Sequence, residues 1–368
     1  MVKRLLTLAS MVCCVLWGLC GQGFSEEDSL KKAVYFQQMS DFLNNSKPDN
    51  LDSAWKYVNK IQTLNVEAGA WESYVDIAIW GIIVLHNQQK PNRAKELGLN
   101  TIEKAGIHLQ EENRSMRKMY SFLSTLFSNE GKDREAIKWQ KKALQGLNTN
   151  DTLNPELQVE RINKMSQLGY IYVRVRDYDQ ALLYLEQAHR QSYASLKKKP
   201  KLFADQAYWS SYYLGMAYSR KGKGFTSKAK IHLEESLHIA TKYFKKEPER
   251  EIRSYHELGW LAFEANDFEN GLVFGQMALR KQEICKRLRG KYHGLDTSYR
   301  LIGESYTGLQ SPEQAVYWLE KGLEEARNTY EEVYGKHYII GSSYLKLADA
   351  YTLKRTFDTA LIHYQKSL

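Results

Sequence analysis

Proline is scarce, with only 6 in 368 residues, so few positions force a break in a helix. Cysteine is scarcer still, with 4, and Cys13, Cys14 and Cys20 all fall in the N-terminal leader. Only Cys285 belongs to the body of the chain, so no internal disulfide framework holds it together. A single thiol also cannot build a Cys-rich zinc site. Cys285 is expected as a small buried or half-buried residue. Beyond the leader no apolar run approaches the ~20 residues that span a bilayer. The most apolar stretch, "VDIAIWGIIVL" from Val75 to Leu85, contains Asp76 and reads as a buried helix. No Gly-x-Gly-x-x-Gly or phosphate-loop Gly-Lys-Ser/Thr phrase stands in a strand–helix setting. The 9 histidines include no His-Glu-x-x-His pair. Carboxylate pairs such as Glu234–Glu235 and Glu331–Glu332 sit among Lys and Arg and read as solvated i,i+4 partners. With no catalytic constellation, neither an enzyme, a cofactor nor a metal is expected. The net charge is +9, and without Lys3 and Arg4 it is about +7. Both signs are interspersed and no dense basic face stands out, which argues against a nucleic-acid surface.

The N-terminus is the first positive signal. "MVKRLLTLASMVCCVLWGLCGQGFSEED" has a basic start, an apolar stretch from Leu5 to Cys20, and small residues at Gly21, Gly23 and Ser25 before an acidic run. That is the layout of a secretory signal over residues 1–25, with an uncut membrane anchor as the alternative. The expected location is exported, periplasmic or extracytoplasmic, and tethered to the membrane if the leader stays.

The second signal is repetition. "LRGKYHGLDTSY" at Leu288–Tyr299 returns as "VYGKHYIIGSSY" at Val333–Tyr344. "LGYIYVRVRDYDQALLYLEQAHR" at Leu168–Arg190 returns as "LADAYTLKRTFDTALIHYQKSL" at Leu347–Leu368. Each of the longer pair has Leu, a small residue and Tyr (Tyr172, Tyr351), then an aromatic (Tyr178, Phe357), an alanine (Ala181, Ala360) and another small residue (Ala188, Ser367). A helix, a short turn and a second helix opened by that alanine make a helical hairpin. Small residues let the two helices approach, and Tyr, Phe and Leu fill the space between neighbouring hairpins. One hairpin cannot bury its apolar face alone, so copies must stack.

This pattern resembles the tetratricopeptide repeat, with its small residues at positions 8, 20 and 27 of each unit. In that register units begin near Tyr35, Val75, Arg117, Ile162, Tyr208, Ile252, Asp296 and Gly341. The position-20 residues are Ala54, Ala94, Ala136, Ala181, Ala229, Gly271, Ala315 and Ala360, with two extra residues inside "KGKGFTSKAK" before Ala229. The turns "KPNRA" (Lys90–Ala94) and "SPEQA" (Ser311–Ala315) match each other. Starts lie roughly 40 to 46 residues apart against the usual ~34. The longer spacing resembles kinesin light chain repeats, whose Gly-x-x-His connector fits "RGKYH" (Arg289–His293) and more loosely "YGKHY" (Tyr334–Tyr338). Residues 26–116 read as divergent N-terminal helical repeats and 117–368 as the array proper. Tyr172, Tyr218, Tyr306, Tyr351, Phe268 and Phe357 are expected in the core. Gly169, Gly215, Gly259 and Gly303 are expected where helices approach closely.

The resemblance implies an all-α, right-handed superhelical solenoid of about eight hairpins. First helices would line a concave groove that binds a protein or peptide. The residues it places there are Tyr170, Arg174, Trp209, Tyr212, Met216, Arg220, His256, Trp260, Phe263, Arg300 and Glu304. Aromatic rings and arginines suit a polypeptide ligand. The Lys-plus-Asn carboxylate clamp of chaperone-binding members is not reproduced. The last unit ends at Leu368 without a capping helix, so a missing following segment, a covering partner and end-to-end self-association all stay open. Exported arrays of this kind resemble the extracytoplasmic sensor portions of Bacteroidetes-type membrane regulators. The expected function is therefore partner sensing for such a regulator, with a free periplasmic or envelope scaffold as the alternative and an enzyme with an unrecognised site as the second.

Overall fold

A computed structural model describes residues 24–44, 48–147, 154–290, 294–334 and 338–368. The leader up to Gly23 and the connector residues 291–293 and 335–337 lie outside them, as do the side chains of Glu331 and Glu332. Among the described residues there are sixteen α-helices and no strand. In chain order they are α1 Glu26–Asn44, α2 Pro48–Glu67, α3 Trp71–Asn87, α4 Pro91–Ala105, α5 Arg114–Asn129, α6 Asp133–Leu144, α7 Pro155–Arg174 and α8 Tyr178–Lys198. They continue as α9 Pro200–Lys221, α10 Thr226–Tyr243, α11 Pro248–Glu264, α12 Phe268–Arg289, α13 Leu295–Gly308, α14 Pro312–Tyr334, α15 Tyr338–Leu353 and α16 Phe357–Ser367. Among the described residues no helix is long and apolar enough to cross a membrane.

Odd-numbered helices are the first arms of hairpins and even-numbered helices the second. Six hairpins share one turn. The backbone N–H of Lys90, Lys132, Asp177, Asp267, Ser311 and Thr356 each donates to the carbonyl five residues earlier, at 2.9–3.0 Å. This closes the first helix in the manner of a Schellman cap, which needs a left-handed residue just before the donor. Gln89, Gly131, Arg176, Asn266, Gln310 and Arg355 supply it, with φ between 56° and 74°. Only Gly131 adopts that conformation without a Cβ penalty. Asp177 and Asp267 then start α8 and α12 by accepting the backbone N–H of Gln180 and Asn270. The hairpin of α9 and α10 departs from the pattern: "KGKGF" forms a short 3-10 turn over Lys223–Phe225, which absorbs the two extra residues.

The small-residue register holds throughout. Ala54, Ala94, Ala136, Ala181, Ala229 and Ala315 are fully buried, and Ala360 nearly so. A Cβ at Gly215 or at Gly303 would lie 2.6 Å from Leu233 Cγ or Leu319 Cγ respectively, so each glycine is a close-approach point between paired helices. Tyr172 and Tyr218 are core residues, Tyr306, Tyr351 and Phe268 are half-buried, and Cys285 is buried. Phe357 is a correction, being 63% exposed. Its counterpart Phe268 lies against Gly308 of the next hairpin, whereas Phe357 belongs to the last hairpin of the sequence.

The chain divides into two compact units, residues 1–171 and 172–368, and the division falls within α7. In unit 1 one core gathers Phe36, Met39, Ala54, Val58 and Ile61, and a second runs from Tyr74 through Tyr120 to Ala143. The second core includes Met116 and Met119. Val75–Leu85 sits inside α3 and is largely buried, as its composition predicts. In unit 2 each first helix from α11 to α15 packs on its own second helix, on the second helix before it and on the preceding first helix. Buried hydroxyl pairs pin the α8–α9 and α10–α11 joints: Ser192 with Ser210, and Ser236 with Ser254, each at 2.8 Å.

Candidate functional site

Because successive first helices of unit 2 lie side by side, side chains from neighbouring first helices meet in rows across the unit. One row is continuous. At the end of α9, Arg220 Nη2 reaches Glu257 Oε2 of α11 at 3.2 Å. Trp260 follows one turn later on α11. The guanidinium of Arg300, from α13, lies over the Trp260 ring at 4.9 Å. Glu304, one turn beyond Arg300, pairs with Lys346 of α15 at 3.2 Å and with Arg300 Nε at 3.8 Å. Six side chains from four helices thus make a strip of three cations, two carboxylates and an indole.

The carboxylates sit beneath the cations. The Glu257 side chain is 12% exposed against 37% for Arg220, and Glu304 is 9% against 36% for Lys346. Burial pushes both carboxyls above the usual range, while Arg220 pulls Glu257 down and Lys346 and Arg300 pull Glu304 down. Each acid therefore fixes the direction of a cation whose head stays accessible. Among the described residues Arg300 Nε has no hydrogen-bond acceptor, nor does Arg250 Nη1.

Arg250 anchors a second, aromatic group at the other end of α9. Its guanidinium lies 3.9 Å from the Phe244 ring, 4.9 Å from Tyr208 and 5.5 Å from Trp209. It also pairs with Asp205 at 2.6 Å and Glu247 at 3.1 Å. Trp209 stacks on Tyr213 at 5.3 Å.

The residues expected to line the groove take several positions. Arg220, Trp260, Arg300 and Glu304 come together in the strip. Trp209 belongs to the aromatic group, and Met216 is half-buried on α9. Phe263 meets Trp260 edge-on and Phe268 beyond it. Tyr212 is buried, and that burial holds its hydroxyl well above the usual phenol range. His256 Nε2 pairs with Ser298 Oγ at 2.8 Å, a tie between neighbouring first helices. Tyr170 is half-buried in unit 1, and Arg174 is exposed at the end of α7. Glu257, Lys346 and Arg250 were missed. Glu257 adjoins His256 in the register and could have been found from the spacing. Arg250 opens a helix at a connector, where the repeat pattern is silent. Glu235 is a correction: it is half-buried and accepts hydrogen bonds from two histidines.

Three solved structures share this arrangement of helices. A Rap protein in complex with competence and sporulation factor matches at a TM-score of 0.55 and 14% identity, over 93% of this chain and 97% of its own. The apo quorum sensor NprR from B. thuringiensis matches at 0.54 and 11%, over 90% and 97%. A signal transduction ATPase with a tetratricopeptide repeat sensor, from Pyrococcus horikoshii, matches at 0.55 and 15%, over 94% of this chain and 53% of its own. The fold is that of the tetratricopeptide repeat. At these identities the likeness concerns the fold alone. No protein-family model matches the chain, and no curated protein matches it. Within the tetratricopeptide-repeat fold, the strip occupies first helices only.

Proposed function

We propose that the first-helix face of unit 2 binds a segment of polypeptide carrying acidic and apolar side chains. The observation that carries this is the strip itself, in which Arg220 and Lys346 rise from buried Glu257 and Glu304 and Arg300 lies on Trp260. Cations already oriented by buried acids lose less entropy on meeting a ligand carboxylate. Arginine on an indole offers both a flat apolar surface and a fork of donors. A Rap protein binding a factor, and two neighbours named as sensors, support the reading. Binding, not catalysis, is the activity expected of this face.

The sequence leader supports a finer reading, in which the protein works outside the cytoplasm as the sensing region of a regulator or as an envelope scaffold. Cell fractionation with sequencing of the mature N-terminus tests the location. For the binding face, a displayed library of random peptides is selected on wild type and on the double variant Arg220→Ala, Trp260→Ala. Wild type should enrich peptides with Asp or Glu beside aliphatic residues, with binding that weakens in salt. The double variant should retain its helicity and fail to enrich them. Equal enrichment by both proteins would reject the face.

A further inference from the structure

On the second helices of unit 2, three side chains converge away from the strip. His189 comes from α8, and His232 and Glu235 come from α10, three residues apart on one face. His189 Nε2 lies 2.9 Å from Glu235 Oε2, and His232 Nδ1 lies 2.8 Å from the same oxygen. All three donor atoms lie within 4.8 Å of one another. The imidazoles meet edge to face at 4.7 Å. Tyr218 stacks on His232, and Tyr193 lies against His189. The side chains are 14%, 19% and 28% exposed, so the cluster is walled by rings yet open on one side.

We propose that His189, His232 and Glu235 bind a divalent transition-metal ion of the zinc class, tying α8 to α10. Two imidazoles and one carboxylate are the donor set of zinc sites that keep a fourth position for water or a ligand. Nitrogen donors favour such ions over magnesium and calcium. A tetrahedral ion with bonds of ~2.0–2.1 Å holds its ligands roughly 3.3 Å apart. Both contacts to Glu235 are close to that, and side-chain rotation closes the remaining gap. On binding, each ligating nitrogen gives its lone pair to the ion and carries its proton on the other ring nitrogen. Glu235 Oε2 is the shared partner of both rings, so one carboxylate oxygen already faces the two nitrogens. Few contacts join successive second helices in unit 2, and this bridge would stiffen one such joint without touching the peptide-binding face.

The test uses the full, untagged chain after chelator treatment. Zinc is titrated calorimetrically, cobalt(II) is followed by visible absorption, and melting is recorded with and without zinc. The expected result is one zinc per chain, four-coordinate cobalt bands and a raised melting temperature. His189→Ala and Glu235→Gln should each weaken zinc binding by more than about ten-fold and lose the cobalt bands. His232→Gln serves as a third variant should either fail to fold by circular dichroism. A wild type that takes up no zinc overturns the proposal. So does zinc held as tightly by folded variants, since that zinc sits elsewhere.

Discussion

Among the described residues, the charges that are fully buried differ in sign between the two units. Unit 1 buries Lys32, Arg117 and Lys164, all less than 10% exposed. Unit 2 buries Glu251 and Glu304, with Glu257 close behind. In unit 1 the cations serve the interior: Arg117 grips Glu160 with two contacts of 3.1 Å, and Lys32 donates to Ser73 beneath the Phe24 ring. In unit 2 the acids lie inside and their cations stay reachable. The same hairpins can thus spend a buried charge on cohesion or on presenting a charge outward. Only the second arrangement offers a ligand something to hold.

The largest expected effect comes from removing one partner of a buried pair. Arg117→Ala should cost about 3 kcal/mol, because the Glu160 carboxylate loses both contacts of the guanidinium that grips it. Lys346→Ala in unit 2 should cost less than half as much, because Glu304 is already pushed towards its neutral form and retains Arg300. Urea midpoints of the two variants check this, and equal losses would dissolve the contrast.

Lys164 gives the next effect, with a definite sign. Burial lowers its ammonium from 10.5 to about 8, with Glu160 opposing the shift. The unfolded chain then binds more protons between those values, so stability should rise with pH from about 8 to 10.5. Lys164→Met should remove that rise and stabilise the protein at pH 7 by on the order of 2 kcal/mol. Glu257 and Glu304 act oppositely: their raised folded values mean stability is lost as pH climbs from 4.5. A flat urea midpoint for wild type between pH 8 and 10.5 would count against a buried, charged Lys164.

The smallest effect tests the shared turn. Gln310→Gly in unit 2 should stabilise by about 1 kcal/mol, and Gly131→Gln in unit 1 should destabilise by a similar amount, because both positions are left-handed. Melting curves of the two variants should move in opposite directions.

The hairpins were legible in the sequence because packing distance leaves no choice at certain positions. Ala54 through Ala360, Gly215 and Gly303 sit where helices touch, and a small residue at fixed spacing announces the contact. The first two hairpins lack the Leu-small pair, and their cores rely instead on residues such as Phe36, Met39, Tyr74 and Trp80. The repeat register also put Arg220, Trp260, Arg300 and Glu304 on first helices, where the structure brings them together. It could not say which of these would be covered, because that depends on the neighbouring hairpin. Glu235 shows this most clearly. Its partner His189 lies 46 residues earlier on another hairpin, and nothing in the local run of Lys and Glu distinguishes it from a solvated acid.

The most direct test of the account is hydrogen–deuterium exchange, read by peptide mass, with and without a peptide selected on wild type. Slowed exchange should appear in the first helices of unit 2, over residues 209–220, 253–264 and 298–307, and be lost in the Arg220→Ala, Trp260→Ala variant. Protection confined to unit 1, or to the second helices α8, α10 and α12, would contradict it.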